Sequence, residues 1–528
     1  MKADCPSAPS ALAYPPLLTL TLLAVIGITT SCGSSPSTPP LPKLSGSTTV
    51  TLLLSSTAND QVTRFALQFQ TLTLTSQSGK AVTVFSSPQA SEVMHLNGGI
   101  EPLTTVSIPQ DIYTSATVTL GAAVYVCLGL TPTGGLGIAN YSGFTQSPTV
   151  NFASPITVTG SSMALLLDMQ VSKSAVFSTC WTTPAFQGFS LTPTFNLTPM
   201  DLSSSPTNFR NGKVSGLKAE VASVGTAASS LTLTVPGGPY GTRSLSATSS
   251  SATVFQGISG ASAVSAGMFF DVDGAIQPDG SLLATRIEVE DPSAINEWSG
   301  PLMFVDNVVP TLTLYGRTEL GPLVTDIAGD SGLYFDTPYF DFDSAVFKIS
   351  GQFSDLQNLP FVPSFNASTM VAGQNVDITT GNFLPGGGNY TPANTITLVP
   401  QTIDGMVVAS QQSGSFTDYT VSLASYDLFP TLAVQLGQTT LLNNPSQIEV
   451  YVGSNTQKLN TQTLAPGSTL RFYGLVFNDN GALRMDCAQV SDGVTATSQS
   501  SSRLAAPGSI RIRRDARGNL YETITTTR

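Results

Sequence analysis

The chain has 528 residues, more than one hydrophobic core serves, so several domains are expected. Charged residues make up 10% and apolar residues 41%, a balance that excludes an intrinsically disordered chain. The formal net charge is -12, which sets the surface against a phosphate backbone, and no nucleic-acid partner is expected.

Lys2 opens a short, weakly basic segment, and an apolar run follows from Leu17 to Ile28. It ends in Thr29-Thr30-Ser31-Cys32-Gly33. An apolar stretch of this length before small residues reads as a secretory signal, because it is too short to span a bilayer. The cysteine directly after the small residues resembles the lipobox of bacterial lipoproteins. That resemblance implies that residues 1–31 are removed and that Cys32 is lipidated as the first mature residue. Residues 32–47 are rich in Ser and Pro and read as a tether. The later apolar run Met163-Ala-Leu-Leu-Leu167 stops at Asp168, so lipid is the expected membrane attachment. The expected location is the cell envelope, at the outer membrane rather than the inner, facing periplasm or cell surface.

Residues 48–195 form the first expected domain. Phe65, Leu67 and Phe69 alternate with polar neighbours; then the phase slips, and Leu72 and Leu74 continue it. Period two with one slip predicts a long strand carrying a bulge. Further strands are expected at 106–109, 113–120, 123–128, 155–159 and 165–171, a spacing that suits a two-sheet sandwich. The strand at 65–74, and Ile108-Pro-Gln-Asp-Ile-Tyr113 leading into the next, resemble the leading domain of a group of bacterial envelope lipoproteins. In that group the domain is a transthyretin-like sandwich of unknown function. Cys127 ends one strand-like run and Cys180 follows another, and an oxidising envelope would let them pair. Closing that loop would contribute about 4 kcal/mol in the chain-entropy model; two unrelated buried thiols are the alternative. Cys487 alternates with Leu483 and Met485 and belongs on a core face.

After a linker at 196–211, a pattern appears and returns. Unit one, 212–294, opens with Gly212-Lys-Val214, passes through Thr253-Val-Phe255, and closes through Gly267, Gly274 and Asp279-Gly280. Unit three, 402–492, closes through Gly467, Gly474 and Asn480-Gly481. Each closing is a strand, a glycine in mid-strand, a tight turn and a returning strand. Unit two, 295–401, diverges and takes Leu384-Pro-Gly-Gly-Gly388 as its turn. A period of about ninety to a hundred residues suits tandem small domains rather than solenoid rungs. These features are similar to a repeated small-barrel domain, also of unknown function. The expected fold class is all-β, an N-terminal β-sandwich followed by three tandem small β-barrel (OB-like) units. A second linker, 493–509, leads to a basic C-terminal hairpin or tail at 510–528, either solvated or docked on an acidic partner surface.

His95 is the only histidine, and no Gly-x-Ser-x-Gly elbow accompanies it, so no catalytic residue is assigned. Scattered cysteines and one histidine lack zinc-ligand spacing, and no phosphate loop or dinucleotide fingerprint is present, so no metal or cofactor is expected. Asp271 and Asp273 share one face of a strand; Arg471 and Tyr473 stand at the matching places in unit three, and a solvated face is expected. Alternating aromatics and carboxylates at 333–343 make Tyr334, Asp336, Tyr339, Asp341 and Asp343 the candidate ligand- or cation-binding residues. Their rings can stack on a sugar and their carboxylates accept hydroxyl protons or hold a cation. An edge strand kept soluble by charge is the alternative. The expected function is that of a non-enzymatic lipid-anchored envelope spacer and binding module whose ligand the sequence does not identify, with a glycan or an envelope protein as candidate partners beside the membrane. A carbohydrate-active hydrolase using Asp residues and an accessory subunit of an envelope assembly are the alternatives.

Overall fold

The computed structural model describes residues 44–525, apart from 131–135, 143–147, 175–192, 203–212, 237–241, 291–295, 321–337, 351–355, 382–389, 433–440, 493–508, 515–519 and several shorter stretches. The fold is all-β, as expected. Its first domain contains β1 (Ser47–Thr57), β2 (Val62–Ser76), β3 (Ala81–Phe85), β4 (Gln89–Glu92), β5 (Ile100–Pro109), β6 (Asp111–Leu130), β7 (Leu136–Ser142), β8 (Thr149–Val158), β9 (Ser162–Gln170) and β10 (Phe195–Met200). One sheet has the order β10-β9-β1-β5; the other runs β3-β2-β6-β7, with β4 on β2 and β8 on β6.

The uninterrupted apolar runs in β1 and β9 follow from their position. The two strands pair in parallel, Leu52 opposite Leu165 and Leu54 opposite Leu167. Val50, Leu52, Leu54, Leu165 and Leu167 face the second sheet. Leu53, Ala164 and Leu166 face away from it and join the core of the first barrel. A strand covered on both faces has no polar side with which to alternate. In β2 the register against β6 shifts at Leu67/Phe69 and Phe69/Thr71, where the sequence loses its phase. The segments 113–120 and 123–128, expected as two strands, are one strand of 20 residues. Gly121 bridges them, and a Cβ there would collide with Gln68 and Gln70. At the corner from β5 to β6, buried Tyr113 donates its hydroxyl to the carbonyl of Pro109 at 2.8 Å, a tyrosine corner.

Three barrels follow. The first is built from β11 (Lys213–Val224), β12 (Ser230–Pro236), β13 (Thr242–Thr248), β14 (Val254–Gln256), β15 (Phe269–Ile276) and β16 (Leu282–Glu290). The second contains β17 (Asn296–Asp306), β18 (Thr311–Leu314), β19 (Thr318–Leu320), β20 (Tyr339–Asp341), β21 (Val346–Ile349), β22 (Asn375–Thr380), β23 (Thr391–Pro392) and β24 (Thr395–Leu398). The third contains β25 (Gln401–Ser413), β26 (Phe416–Leu423), β27 (Gln447–Leu459), β28 (Thr469–Asp479) and β29 (Ala482–Asp492). In the third, strands pair in the closed order one-two-three-five-four, with three parallel to five. The first closes the same way through parallel pairs β13–β16 and β14–β16. The second follows the same circuit with interrupted strands: β18 and β19 share position two, β20 and β21 position three, β23 and β24 position five.

One backbone clamp recurs in all three. Gly267, Gly373 and Gly467, each at positive φ, donate to the carbonyls of Val221, Leu302 and Val407 at 2.8 Å. The amides of those three residues donate back to the carbonyls of Met268, Gln374 and Ser468. Immediately beyond each clamp strand one carries a bulge, at Val221/Ser223, Leu302/Phe304 and Val407/Ala409. The mid-strand glycines Gly274 and Gly474 sit where a Cβ would strike the backbone of the returning strand. A final hairpin pairs β30 (Ser509–Arg514) with β31 (Leu520–Thr525).

The apolar clusters join these domains in two pairs. One cluster unites barrel-one residues such as Val221, Phe270 and Ile287 with Leu53, Ile100 and Leu166 of the sandwich. Another unites barrel-two residues such as Trp298, Phe340 and Ile396 with Phe416, Tyr451, Leu475 and Phe477 of barrel three.

Candidate functional site

The acidic-aromatic segment is divided by its own pleat. Phe340 turns inward, its ring edge-on to Trp298 at 5.6 Å, and Phe342 is buried beside it. Tyr339 and Asp341 take the opposite face of β20 and are half-buried, with Asp343 exposed just beyond the strand. Tyr339 meets Tyr390 edge-on at 6.0 Å. The Asp341 carboxylate accepts the Asp343 amide at 2.9 Å and so closes the turn leaving the strand. β20 is strand three of its barrel, paired with β18 as strand two. Tyr334 and Asp336 lie outside the described residues, as do Cys32, His95, Cys180 and the 384–388 turn; Cys127 lies on β6, opposite Val62 and Ala139 in backbone register. Among the described residues no group of three or more His, Cys, Asp or Glu is arranged to hold a metal ion.

Among the described residues, the largest network of ion pairs lies where the barrels meet. Asp271 and Asp273, expected on a solvated face, are buried there. Alternation in β15 put them on the outer face, and a neighbouring barrel covers that face. Lys218 on β11 contacts Asp271 at 3.2 Å, Glu290 on β16, and Glu297 on β17 of the second barrel at 2.9 Å. Arg286 pairs with Asp273 at 2.6 Å, Glu288 at 2.6 Å and Asp271 at 3.1 Å. Burial works against the Lys218 charge, but Asp271, Glu297, Glu290 and Asp377 together hold its ammonium well above the ordinary lysine value. The carboxylates outnumber the cations. Burial, then the Glu297 and Asp271 charges, push Glu290 up to about 8 against the pull of Lys218. Burial and Glu297 likewise push Asp377 up to about 7, although Lys218 and the Ser299 hydroxyl favour its charged form. Asp273 is raised by burial and by Asp271, with Arg286 opposing. Barrel three reaches the same junction: burial together with Asp273 and Asp377 raises the Tyr473 hydroxyl, and Lys213 lies under the field of both Asp273 and Asp486.

The repeat explains how this charge is placed. Three residues before each clamp, strand one pairs with strand four at Lys218–Asp271, Ser299–Asp377 and Asp404–Arg471. The polar pair persists, and its polarity reverses between the first barrel and the third, where Arg471 contacts Asp404 at 3.3 Å.

On barrel three the outer ladder Asp418–Tyr451 and Glu449–Arg484 is covered by barrel two. Phe361 lies 5.4 Å from the Tyr451 ring, with the Arg484 guanidinium 5.4 Å from its centre. Arg484 also donates to the Tyr451 hydroxyl at 2.9 Å, and that hydroxyl donates to Glu449 at 3.0 Å. The short link between the two barrels is clamped: Asn375 donates to the Pro400 carbonyl at 3.2 Å, Gln401 to Gly373 at 2.9 Å, and Gln374 to Val476 at 2.9 Å. The ladder is therefore a fixed interface, and none of it showed in the sequence.

A family model described as a domain of unknown function (DUF5666) matches residues 220–288, which is most of the first barrel. No curated protein matches the chain.

Proposed function

We propose that this protein is a non-enzymatic, lipid-anchored bacterial envelope protein whose tandem barrels serve as spacer and binding module. The observation that carries this reading is the repetition of one barrel circuit with one backbone clamp at Val221, Leu302 and Val407. Repeated modules fused end to end extend a binding surface from an anchor without needing a catalytic cleft. The signal-like segment ending at Cys32 and the Ser/Pro stretch after it support the anchor and the tether. In this reading the leading domain corresponds to the transthyretin-like sandwich of envelope lipoproteins. The ligand is a glycan, met on the outer face of strands two and three of the second barrel. Barrels of this circuit bind oligosaccharides on that face, and Tyr339 and Asp341 stand there with an aromatic platform and a carboxylate acceptor.

The test has two arms. Cells fed radiolabelled palmitate are expected to label the wild-type chain and not Cys32→Ser; an unlabelled wild type overturns the anchor. On a glycan array the detergent-solubilised protein is expected to retain a defined set of sugars, and Tyr339→Ala with Asp341→Asn to lose them. An array with no retained sugar, or retention unchanged in the variants, overturns the binding face.

A further inference from the structure

The apolar clusters fuse the sandwich to barrel one, and barrel two to barrel three. Among the described residues no cluster crosses from the first pair to the second. What crosses instead is charge. Lys218 of barrel one reaches Glu297 of barrel two at 2.9 Å, inside a ring completed by Asp271 and Glu290. Asp377 of barrel two and Tyr473 of barrel three lie in the same field. An apolar interface holds at any pH, whereas one in which carboxylates outnumber the cations holds only while their mutual repulsion is neutralised.

We propose that this junction is a proton-controlled hinge, closed while its surplus carboxylates carry protons and opened when they lose them. The groups that decide the balance come from every element packed there: Lys213 and Lys218 on β11, Asp271 and Asp273 on β15, Arg286, Glu288 and Glu290 on β16. From the other half come Glu297 on β17, Asp377 on β22, Tyr473 on β28 and Asp486 on β29. Glu290 and Asp377 are the groups that titrate near neutrality, at about 8 and about 7. Their values lie above the ordinary carboxylate range, so the closed form binds protons that the open form releases. Closure is favoured below that range and lost as pH rises through 7 to 8. Each proton released shifts the open-to-closed ratio by up to about tenfold per pH unit. The hinge needs neither the lipid nor the ligand.

Small-angle X-ray scattering of the full-length protein between pH 5 and pH 9 tests it, with far-ultraviolet circular dichroism to certify that the strands persist. The wild type is expected to increase in radius of gyration between pH 5 and pH 8, and to change no further above that, at constant dichroism. Glu290→Gln with Asp377→Asn, isosteric and permanently neutral, is expected to stay compact at pH 9. Lys218→Met is expected to open at lower pH than the wild type. A wild-type radius that stays flat across the range overturns the hinge, whatever the variants do. So does a double variant that folds and expands as the wild type does.

Discussion

Arg243 and Glu101 form an ion pair between barrel one and the sandwich, with side chains only 3% and 8% exposed. The Nε and Nη1 atoms of Arg243 are buried without a hydrogen-bond partner. A charge pair withdrawn from water this far gains little over an apolar pair, yet losing one member leaves the other charge buried. Arg243→Ala is therefore expected to lower stability by about 3–5 kcal/mol in denaturant unfolding, and Arg243→Met with Glu101→Leu to recover most of that loss. A single variant as stable as the wild type would refute the account. Tyr113 sets the corner between β5 and β6 by a different means. Its ring belongs to the core, and its hydroxyl satisfies the Pro109 carbonyl. Tyr113→Phe keeps the ring and orphans that acceptor, at a cost of about 1–2 kcal/mol, read as a lower denaturant midpoint with an unchanged slope.

At the scale of the element, two hairpins that look alike in sequence differ in what surrounds them. Gly280 has φ +86°, and a Cβ there would collide with the Thr51 and Thr105 hydroxyls of the sandwich. Gly481 has φ +89° but would meet only the Asn443 side chain, the movable end of an exposed residue. Both substitutions by alanine strain the backbone, and Gly280→Ala must also push the barrel off the sheet. It is expected to cost about 2–3 kcal/mol, against about 1 kcal/mol for Gly481→Ala, in parallel thermal melts. The turns themselves were legible, because Asp279-Gly280 and Asn480-Gly481 carry the positive φ their geometry demands. So were the slip in β2 and the matching closing hairpins of the first and third barrels, though not the order in which their strands pair. The charged junction was not. Lys218 and Glu297 meet only through the packing of two barrels, and alternation at Asp271 and Asp273 marks an outer face without saying what covers it. Phe361 gave no signal for the same reason: Pro360 and Pro363 beside it mark a loop, and the ring's partners, Tyr451 and Arg484, lie on another barrel. In the acidic-aromatic segment the sequence placed the rings together, and the pleat then sent Phe340 to the core and left Tyr339 outside.

Across the whole molecule, the pairing of cores predicts how it melts. Barrel two and barrel three share Phe361, Phe416, Tyr451 and Phe477 in one cluster, so neither can unfold without exposing the other. The sandwich and barrel one share Leu53, Leu166 and Phe270 in the same way. Scanning calorimetry is therefore expected to show two cooperative transitions at pH 9, one for each pair. Phe361→Ala removes a buried ring at a cost of about 3 kcal/mol or more and should lower only the transition of barrels two and three. Arg243→Ala should lower only the other. The coupling between the transitions follows from the junction. Glu290 and Asp377 hold their protons more tightly in the assembled protein than at their ordinary values of 4.5 and 3.8. The stability they lend is thus fully present below those values and is lost as pH rises through about 7 and about 8. At pH 5 the two transitions should draw together, because the first half to unfold must also give up the protons shared with the second. A single transition at pH 9, or a separation that does not widen between pH 5 and pH 9, would mean that the two halves are joined by something other than this charged junction.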